Sequence, residues 1–465
     1  MGKFGQIFQQ DSEAIIFKNE ILKYPELQKR ILSAANYLFD KNIRENDKVI
    51  ILGSNSSDFV ILILALWKIG AVPVPLNFNL NENELNSLID IISPDTVLVD
   101  KVLKDLPQLL NHNCINYPFE FYNNEGDTKF QSDSNSEKTA LIIFTSGSSA
   151  KPKGVKLSFN NLFKTAKEQN KFLGLNRNDK YLASLHFYHI GGFSIIIRTL
   201  LSGGTIVIPN SLKINDTNDA INKYHPTSIS LVPIQLKRMI EKDFTQPEYL
   251  KNVLLGGSFI ENNLVAAAIN KKWKLIKVYG SSETCSFISA KRITSGNNIS
   301  NSLGKVIGKN EIKIIDGHIA VKGESIMKGY LNQPAYLTEE GFFITEDIGY
   351  FNKNNELIIE GRRDDILISG GENISLKEIE NYVKNFKRIK DAVVLGLEDD
   401  EWGEIITVVA VTFGNDLFPL TDLNEFLSKN VAKFKLPKKI FFIDEIPRNE
   451  MGKVMREELK KIITL

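Results

Sequence analysis

Residues 139–154 read TALIIFTSGSSAKPKG. The apolar, β-branched run up to Phe144 has strand length and opens directly into Thr145, Ser146, Gly147, Ser148 and Ser149, with Lys151 and Lys153 close behind. Such a run bounded by small polar residues reads as a buried strand that ends in a loop. A plain surface turn needs only one or two special residues. Here small residues let backbone N–H groups converge, hydroxyls donate and ammonium groups add positive charge, a combination suited to a polyphosphate. A flexible, solvated Gly/Ser loop is the plain alternative, and this stretch alone does not separate the two.

The flanking sequence predicts the fold. From residue 48 to about 280, strand-length apolar runs alternate with helix-length amphipathic segments. The runs are KVIIL (48–52), TVLVD (96–100), TALIIF (139–144), YLASL (181–185), TIVIP (205–209), SISLV (228–232), NVLLG (252–256) and LIKVY (275–279). Between the first two, the apolar window 59–74 is broken by Lys68 and is short for a membrane span, so it reads as a buried helix and a short strand. Residues 81–92 place Asn81 and Glu84 at capping-box spacing ahead of an apolar stripe of Leu85, Leu88, Ile89 and Ile92. The class is therefore α/β, with mostly parallel sheets covered on both faces. Several strands end in small or polar residues: Thr145-Ser146-Gly147, Gly257-Ser258, and Gly280-Ser281-Ser282-Glu283. In open α/β sheets ligands sit beyond the carboxyl ends of strands, so these ends are candidates to line one cleft.

Past residue 300 the pattern changes. EIKII and GHIAV flank Asp316-Gly317, a hairpin turn pair. GRRDD (361–365) is the best linker candidate, followed by a small α+β unit built on DAVVLGL, ITVVAVTF and KIFFIDEI. Two domains are expected, 1–361 and 362–465, the second smaller; a chain of 465 residues is too long for one core.

The composition narrows the partners. Net charge +1 argues against nucleic acid or an anionic membrane as the main partner. Two cysteines, Cys114 and Cys285, exclude a disulfide framework, and five histidines without HExxH spacing weaken a structural metal site. No basic, apolar leader is visible, so a cytoplasmic location is expected. Oligomeric state is not readable.

Individual motifs carry the chemistry. Gly154 precedes Val155, so the 145–154 loop is not a Walker A loop, and a P-loop NTPase is disfavoured. YGSSETC (279–285) offers Tyr279 to stack on a base, Gly280 for a tight approach, Ser282 for a phosphate and Glu283 for Mg²⁺. A core tyrosine before a helix capped by Ser282 is the alternative. Asp347 in TEDIGY could hold ribose hydroxyls or form a turn, and Arg362 and Asp364 belong to a cluster that is ordinarily solvated. Lys453 in PRNEMGKVMR could reach a distant active site or sit in water.

Taken in order, TSGSSAKPKG, LHFYHIGGF, YGSSETC, TEDIGY, GRRDDILISGGENI and PRNEMGKVMR resemble the motifs of the adenylate-forming (AMP-binding) superfamily of acyl-CoA synthetases, luciferases and adenylation domains. The resemblance implies a large ATP- and acid-binding domain and a smaller mobile one, with the active site between them. It implies that Thr145, Ser146, Gly147, Ser148 and Lys153 hold ATP phosphates, that Gly257, Tyr279 and Gly280 frame adenine, and that Asp347 and Arg362 hold ribose. Ser282 and Glu283 would lie at the α-phosphate and Mg²⁺, Lys453 would support adenylation, and Asp364 would be the hinge. ATP, Mg²⁺, CoA and a small carboxylic acid are the implied ligands. Local stretches such as YHIGGFSIIIRTL (188–200) are further similar to the o-succinylbenzoate-activating branch, which serves menaquinone biosynthesis. Its acid keeps a second carboxylate, so a pocket for it should contain a cation or several donors. Arg198 is the candidate cation, with His189 and Ser286 beside it; an ordinary surface arginine is the alternative. Another aryl or medium-chain acid, or a nucleotide-binding module without chemistry, are the competing functions.

Overall fold

In the computed structural model the described residues are 7–103, 113–118, 135–145, 152–258, 260, 262–293, 299–362, 366–369, 372–400, 402–414, 416–447, 454 and 456–464. The chain divides into two compact units. The first comprises 1–78, 92–145 and 154–363; the second comprises 79–91, 146–153 and 364–465.

In the first unit the central sheet shows nine strands among the described residues. In spatial order they are Lys305–Val306, Ser286–Ile293, Leu275–Ser281, Asn252–Leu255, Ser228–Leu231, Lys180–Leu182, Thr205–Ile208, Glu13–Phe17 and Glu20–Lys23. Pairings from Leu275–Ser281 through Glu13–Phe17 are parallel. Antiparallel strands close the two edges. Helices Phe159–Leu173, Ile190–Ser202, Ile214–Tyr224, Pro233–Glu241 and Asn262–Asn270 connect the strands. The continuous burial of strands such as Ser228–Leu231 and Asn252–Leu255 reflects cover on both faces. A second, all-parallel sheet runs Val72–Leu76, Lys48–Leu52, Thr96–Asp100, Cys114–Tyr117.

The strand Thr139–Thr145 lies in a third sheet beside Lys153–Ser158, Gly329–Tyr330 and Gln333–Pro334. It is anchored by Trp67, whose indole Nε1 donates to Ala140 O at 2.6 Å. That tryptophan belongs to helix Ser57–Ile69, which begins under a Ser56 side-chain cap and ends at Gly70 in the left-handed region. The helix and the following strand Val72–Leu76 match the expectation for the apolar 59–74 window. No described helix is long and apolar enough to cross a membrane. A fourth, antiparallel sheet holds Glu311–Ile315, His318–Lys322, Phe343–Phe351 and Leu357–Arg362. Its first hairpin turns at Asp316 and Gly317, both at positive φ, 50° and 79°.

The second unit packs strands Ile389–Asp399, Gly403–Thr412 and Lys439–Phe442 against helices Leu376–Val383 and Leu420–Leu427 around one apolar cluster. Helix Glu82–Ile92 begins in this unit, and its expected capping box is present. Asn81 N–H donates to Glu84 Oε2 at 3.2 Å, and Glu84 N–H donates to Asn81 Oδ1 at 2.9 Å.

Candidate active site

The parallel strands Leu275–Ser281, Asn252–Leu255, Ser228–Leu231 and Lys180–Leu182 end at one edge of the central sheet. The segments that leave them build the site. After Asn252–Leu255 the chain turns through Gly257 at φ 85°, a conformation side chains rarely adopt. After Leu275–Tyr279 it passes Gly280, where an added Cβ would lie 2.0 Å from Ser286 O. Only glycine admits that approach.

The segment 281–286 is a turn between antiparallel strands, not the start of a helix capped by Ser282. Ser281 N–H donates to Thr284 Oγ1 at 2.8 Å, and Cys285 N–H donates to Ser282 O at 3.1 Å. Cys285 and Ser286 follow at φ 53° and 79°, two consecutive non-glycine residues in the left-handed region. Strain of this kind persists only where the surroundings over-determine it. Here the Thr284 hydroxyl, bound to Ser286 O at 3.0 Å, locks the turn. The turn presents Ser282 and Glu283, both partly exposed. Glu283 is held from behind: Met327 N–H donates to its carbonyl at 2.9 Å, and Tyr330 OH donates to its Oε1 at 3.2 Å.

Tyr279 and Asp347 meet directly. The phenol donates to Asp347 Oδ2 at 2.8 Å, and each residue is 7% exposed. The Tyr279 ring packs with Ile288, Ile319, Val321 and Leu357, so it is also a core residue. Asp347 sits in register with Arg362 across the fourth sheet. Three residues expected at the nucleoside, far apart in sequence, thus converge. Gly257 and Gly280 stand at the ends of neighbouring strands.

Arg198 is not a surface arginine. It is 1% exposed, on helix Ile190–Ser202, whose sequence IGGFSIIIRTLLS is buried nearly throughout. Its Nη1 donates to Gln169 Oε1 at 3.1 Å and to Ser194 Oγ at 3.0 Å; its Nη2 donates to Tyr181 OH at 3.3 Å. Its guanidinium lies 5.3 and 5.4 Å from the ring centroids of Tyr181 and Phe287. All these partners are neutral, its Nε has none, and it makes no ion pair among the described residues. Ser194 Oγ lies 3.2 Å from Ser286 Oγ, which places Ser286 next to the Arg198 network. His189 lies apart from it. It is the N-cap residue of the same helix, about 13.5 Å from Arg198 along the axis. There it packs against Tyr188 at 4.7 Å in a cluster with His186 and Phe78. Cys285, buried beside this site, has its thiol pushed up to about 12 by desolvation, which outweighs the Thr165 hydrogen bond and Arg198.

Sequence reasoning missed Gln169, Tyr181, Ser194 and Tyr330. Only Ser194 carried a signal, one helical turn before Arg198. Ser146, Gly147, Ser148, Asp364 and Lys453 lie outside the described residues, as does the side chain of Arg362. Thr145 ends its strand and Lys153 begins the next, both half-buried.

The profile of the family of AMP-binding enzymes matches residues 7–331, and that of the AMP-binding enzyme C-terminal domain matches 378–453. The chain belongs to the AMP-binding enzyme family. It is 32% identical to a 2-succinylbenzoate–CoA ligase of Staphylococcus epidermidis over 96% of its own length and 94% of that protein's. Among solved structures it is similar to the o-succinylbenzoate CoA synthetase of Bacillus subtilis. A doubly substituted form of that protein, bound to its product analogue OSB-NCoA, superposes with TM-score 0.89 at 27% identity, covering 99% of this chain and 98% of that one. The same protein in complex with ATP and magnesium ion gives TM-score 0.72 at 27% identity, covering 98% and 99%.

Proposed function

We propose that this chain is an ATP-dependent acid–CoA ligase that converts o-succinylbenzoate to its CoA thioester through an acyl-adenylate. Arg198 carries the choice of acid. A guanidinium 1% exposed among neutral partners is a site one negative charge short. Burying an unpaired ion costs several kcal/mol, on the order of what a carboxylate ligand would recover. o-Succinylbenzoate has two carboxylates and spends one, so the other is available to Arg198, with Ser194 and Ser286 as further partners. The similarity to the Staphylococcus and Bacillus ligases over nearly full length supports the same acid.

In the first half-reaction an oxygen of the other carboxylate attacks the α-phosphorus of ATP; the bond to the bridging oxygen breaks and pyrophosphate leaves. In the second, the CoA sulfur loses its proton and attacks the acyl carbon, and AMP departs. Neither half needs a protein nucleophile; positioning and neutralisation supply the catalysis. Thr145, Ser146, Gly147, Ser148 and Lys153 receive the phosphates, Gly257, Tyr279 and Gly280 the adenine, and Asp347 and Arg362 the ribose. Lys453 neutralises charge as the carboxylate attacks, and Asp364 is the hinge between domains 1–361 and 362–465. The division of the compact units after Arg363 supports that boundary.

Among the described residues no three His, Cys, Asp or Glu side chains cluster as a metal cage. Mg²⁺ needs none: it binds through one or two carboxylates, substrate phosphates and water, which fits Glu283. When bound it supplies charge to the phosphate oxygens. Glu283 holds it, and Ser282 on the same turn meets the α-phosphate. The cytoplasm, where ATP and CoA are both present, is the proposed location.

Mass spectrometry of products formed from the purified protein, MgATP, CoA and a panel of acids tests the proposal. o-Succinylbenzoyl-CoA with AMP, ahead of benzoate and fatty acids at low acid concentration, is the expected result. Preference for another acid sinks the substrate assignment, and ADP in place of AMP sinks the reaction.

A further inference from the structure

The turn at Ser281–Ser286 fixes the backbone of Glu283 but not the direction of its carboxylate. That direction is set from another sheet. The segment 327–331 crosses the back of the turn and is itself bonded to the strand that follows the 145–154 loop. Tyr330 pairs with Val155, Leu331 N–H donates to Gly154 O at 2.7 Å, and Lys328 N–H donates to Lys156 O at 2.9 Å. From this frame Met327 N–H holds the Glu283 carbonyl at 2.9 Å, and the Tyr330 phenol holds Oε1 at 3.2 Å. Among the described residues the second oxygen, Oε2, accepts no hydrogen bond. A partly buried carboxylate on a tight turn is thereby gripped at one oxygen and open at the other.

We propose that Tyr330 is a positioning residue that orients the Glu283 carboxylate for the metal accompanying ATP. The proposal rests on the function given above and assigns it a residue outside every motif used to recognise the site. Outer-shell partners of ligating carboxylates typically change metal affinity 10–100-fold when removed. The backbone pairing of Tyr330 with Val155 does not involve the phenol, so Tyr330→Phe separates orientation from architecture. The ring stays and only the hydroxyl is lost.

The test is Mn²⁺ binding to the protein–ATP complex, followed by electron paramagnetic resonance, in the wild type, Y330F, E283Q and the double variant. Y330F is expected to weaken Mn²⁺ binding about tenfold, with ATP binding in EDTA and the unfolding midpoint unchanged. In the E283Q background Y330F is expected to add nothing. Wild-type Mn²⁺ affinity in Y330F overturns the proposal. So does a full additional loss in the E283Q background, and so does an E283Q protein that binds Mn²⁺ as the wild type does. A product assay run beside it keeps the two readings apart. If no acid yields AMP while Y330F still weakens Mn²⁺, the ligase reading falls and the positioning role stands.

Discussion

Arg198 and Lys277 are both buried cations, each 1% exposed, and they answer to different tests. Arg198 is held at Nη1 and Nη2 by neutral groups and at Nε by none. Arg198→Ala should lower kcat/KM for o-succinylbenzoate by roughly 10²-fold or more, the consequence of leaving a carboxylate unpaired at about 3 kcal/mol. A neutral-tailed acid should be little affected, and equal loss on both acids would remove Arg198 from the substrate pocket. Among the described residues Lys277 donates only to Ser300 O, at 2.8 Å, and it faces Lys291 across the strand pair. Desolvation first, and then Lys291, lower its pKa to about 8 from 10.5. Below about 8 the amine is charged in folded and unfolded chains alike, and the folded state bears the full penalty. Between about 8 and 10.5 the unfolded chain binds the extra proton, so stability rises with pH across that window. The gain is of order 3 kcal/mol. Lys277→Met should be more stable than the wild type at pH 7 and should flatten this part of the pH–stability profile in denaturant titrations. An unchanged profile would show that Lys277 keeps its proton throughout.

At the scale of elements, helix Phe159–Leu173 begins with a capping box that also joins two sheets. Asn161 N–H donates to Ser158 Oγ at 3.1 Å, and Asn161 Oδ1 accepts from Ser158 N–H at 2.8 Å. The Asn161 amide then donates to Glu324 O at 2.8 Å and Ile326 O at 2.9 Å, just ahead of the segment that holds Glu283. Asn161→Ala should cost about 2–3 kcal/mol, from a cap and two buried hydrogen bonds. Asn161→Asp keeps the cap acceptor but turns a carboxylate oxygen toward two carbonyls, so it should unfold at lower denaturant than Asn161→Ala. The reverse order would show that the contacts to 324 and 326 carry no weight. Capping pairs such as Asn81 with Glu84 were legible in the sequence because the bonds are local. The segment 281–286 reads in the sequence as a polar strand end, or else as a helix start capped by Ser282; it is instead a turn between two strands. What decided it was the antiparallel strand Ser286–Ile293 lying in register on Leu275–Ser281, a non-local pairing.

At the scale of the molecule, the second unit gathers a segment from the N-terminal half of the sequence. Lys435 is buried between Glu84, at 2.5 Å, and Glu378, at 3.1 Å, with side-chain exposures of 9%, 8% and 14%. Asn83 adds a hydrogen bond to Lys429 O. Replacing Lys435 with Met leaves two carboxylates buried without their counter-charge, an expected cost of about 3–5 kcal/mol. Hydrogen exchange should show helix Glu82–Ile92 losing protection in Lys435→Met while the central sheet keeps it. Equal loss in both would mean that the triad does not act locally. Nothing in residues 81–92 alone indicates a partner some 350 residues away.

The α/β class, five inner strands of the central sheet, the Asn81–Glu84 cap, the Asp316-Gly317 hairpin and the family were legible in the sequence, because each depends on local propensity or on motif order. The sequence also marked Arg198, Ser286, Tyr279 and Asp347 as site candidates. Only the tertiary structure decided what they do together. It placed Tyr279 on Asp347, buried Arg198 among neutral groups with Gln169 and Tyr181 around it, set His189 at the far end of the same helix and put Tyr330 behind Glu283. The reason is physical. Periodicity reports which face of an element is apolar, whereas the partner of a buried charge or hydroxyl is set by which distant elements pack on that face.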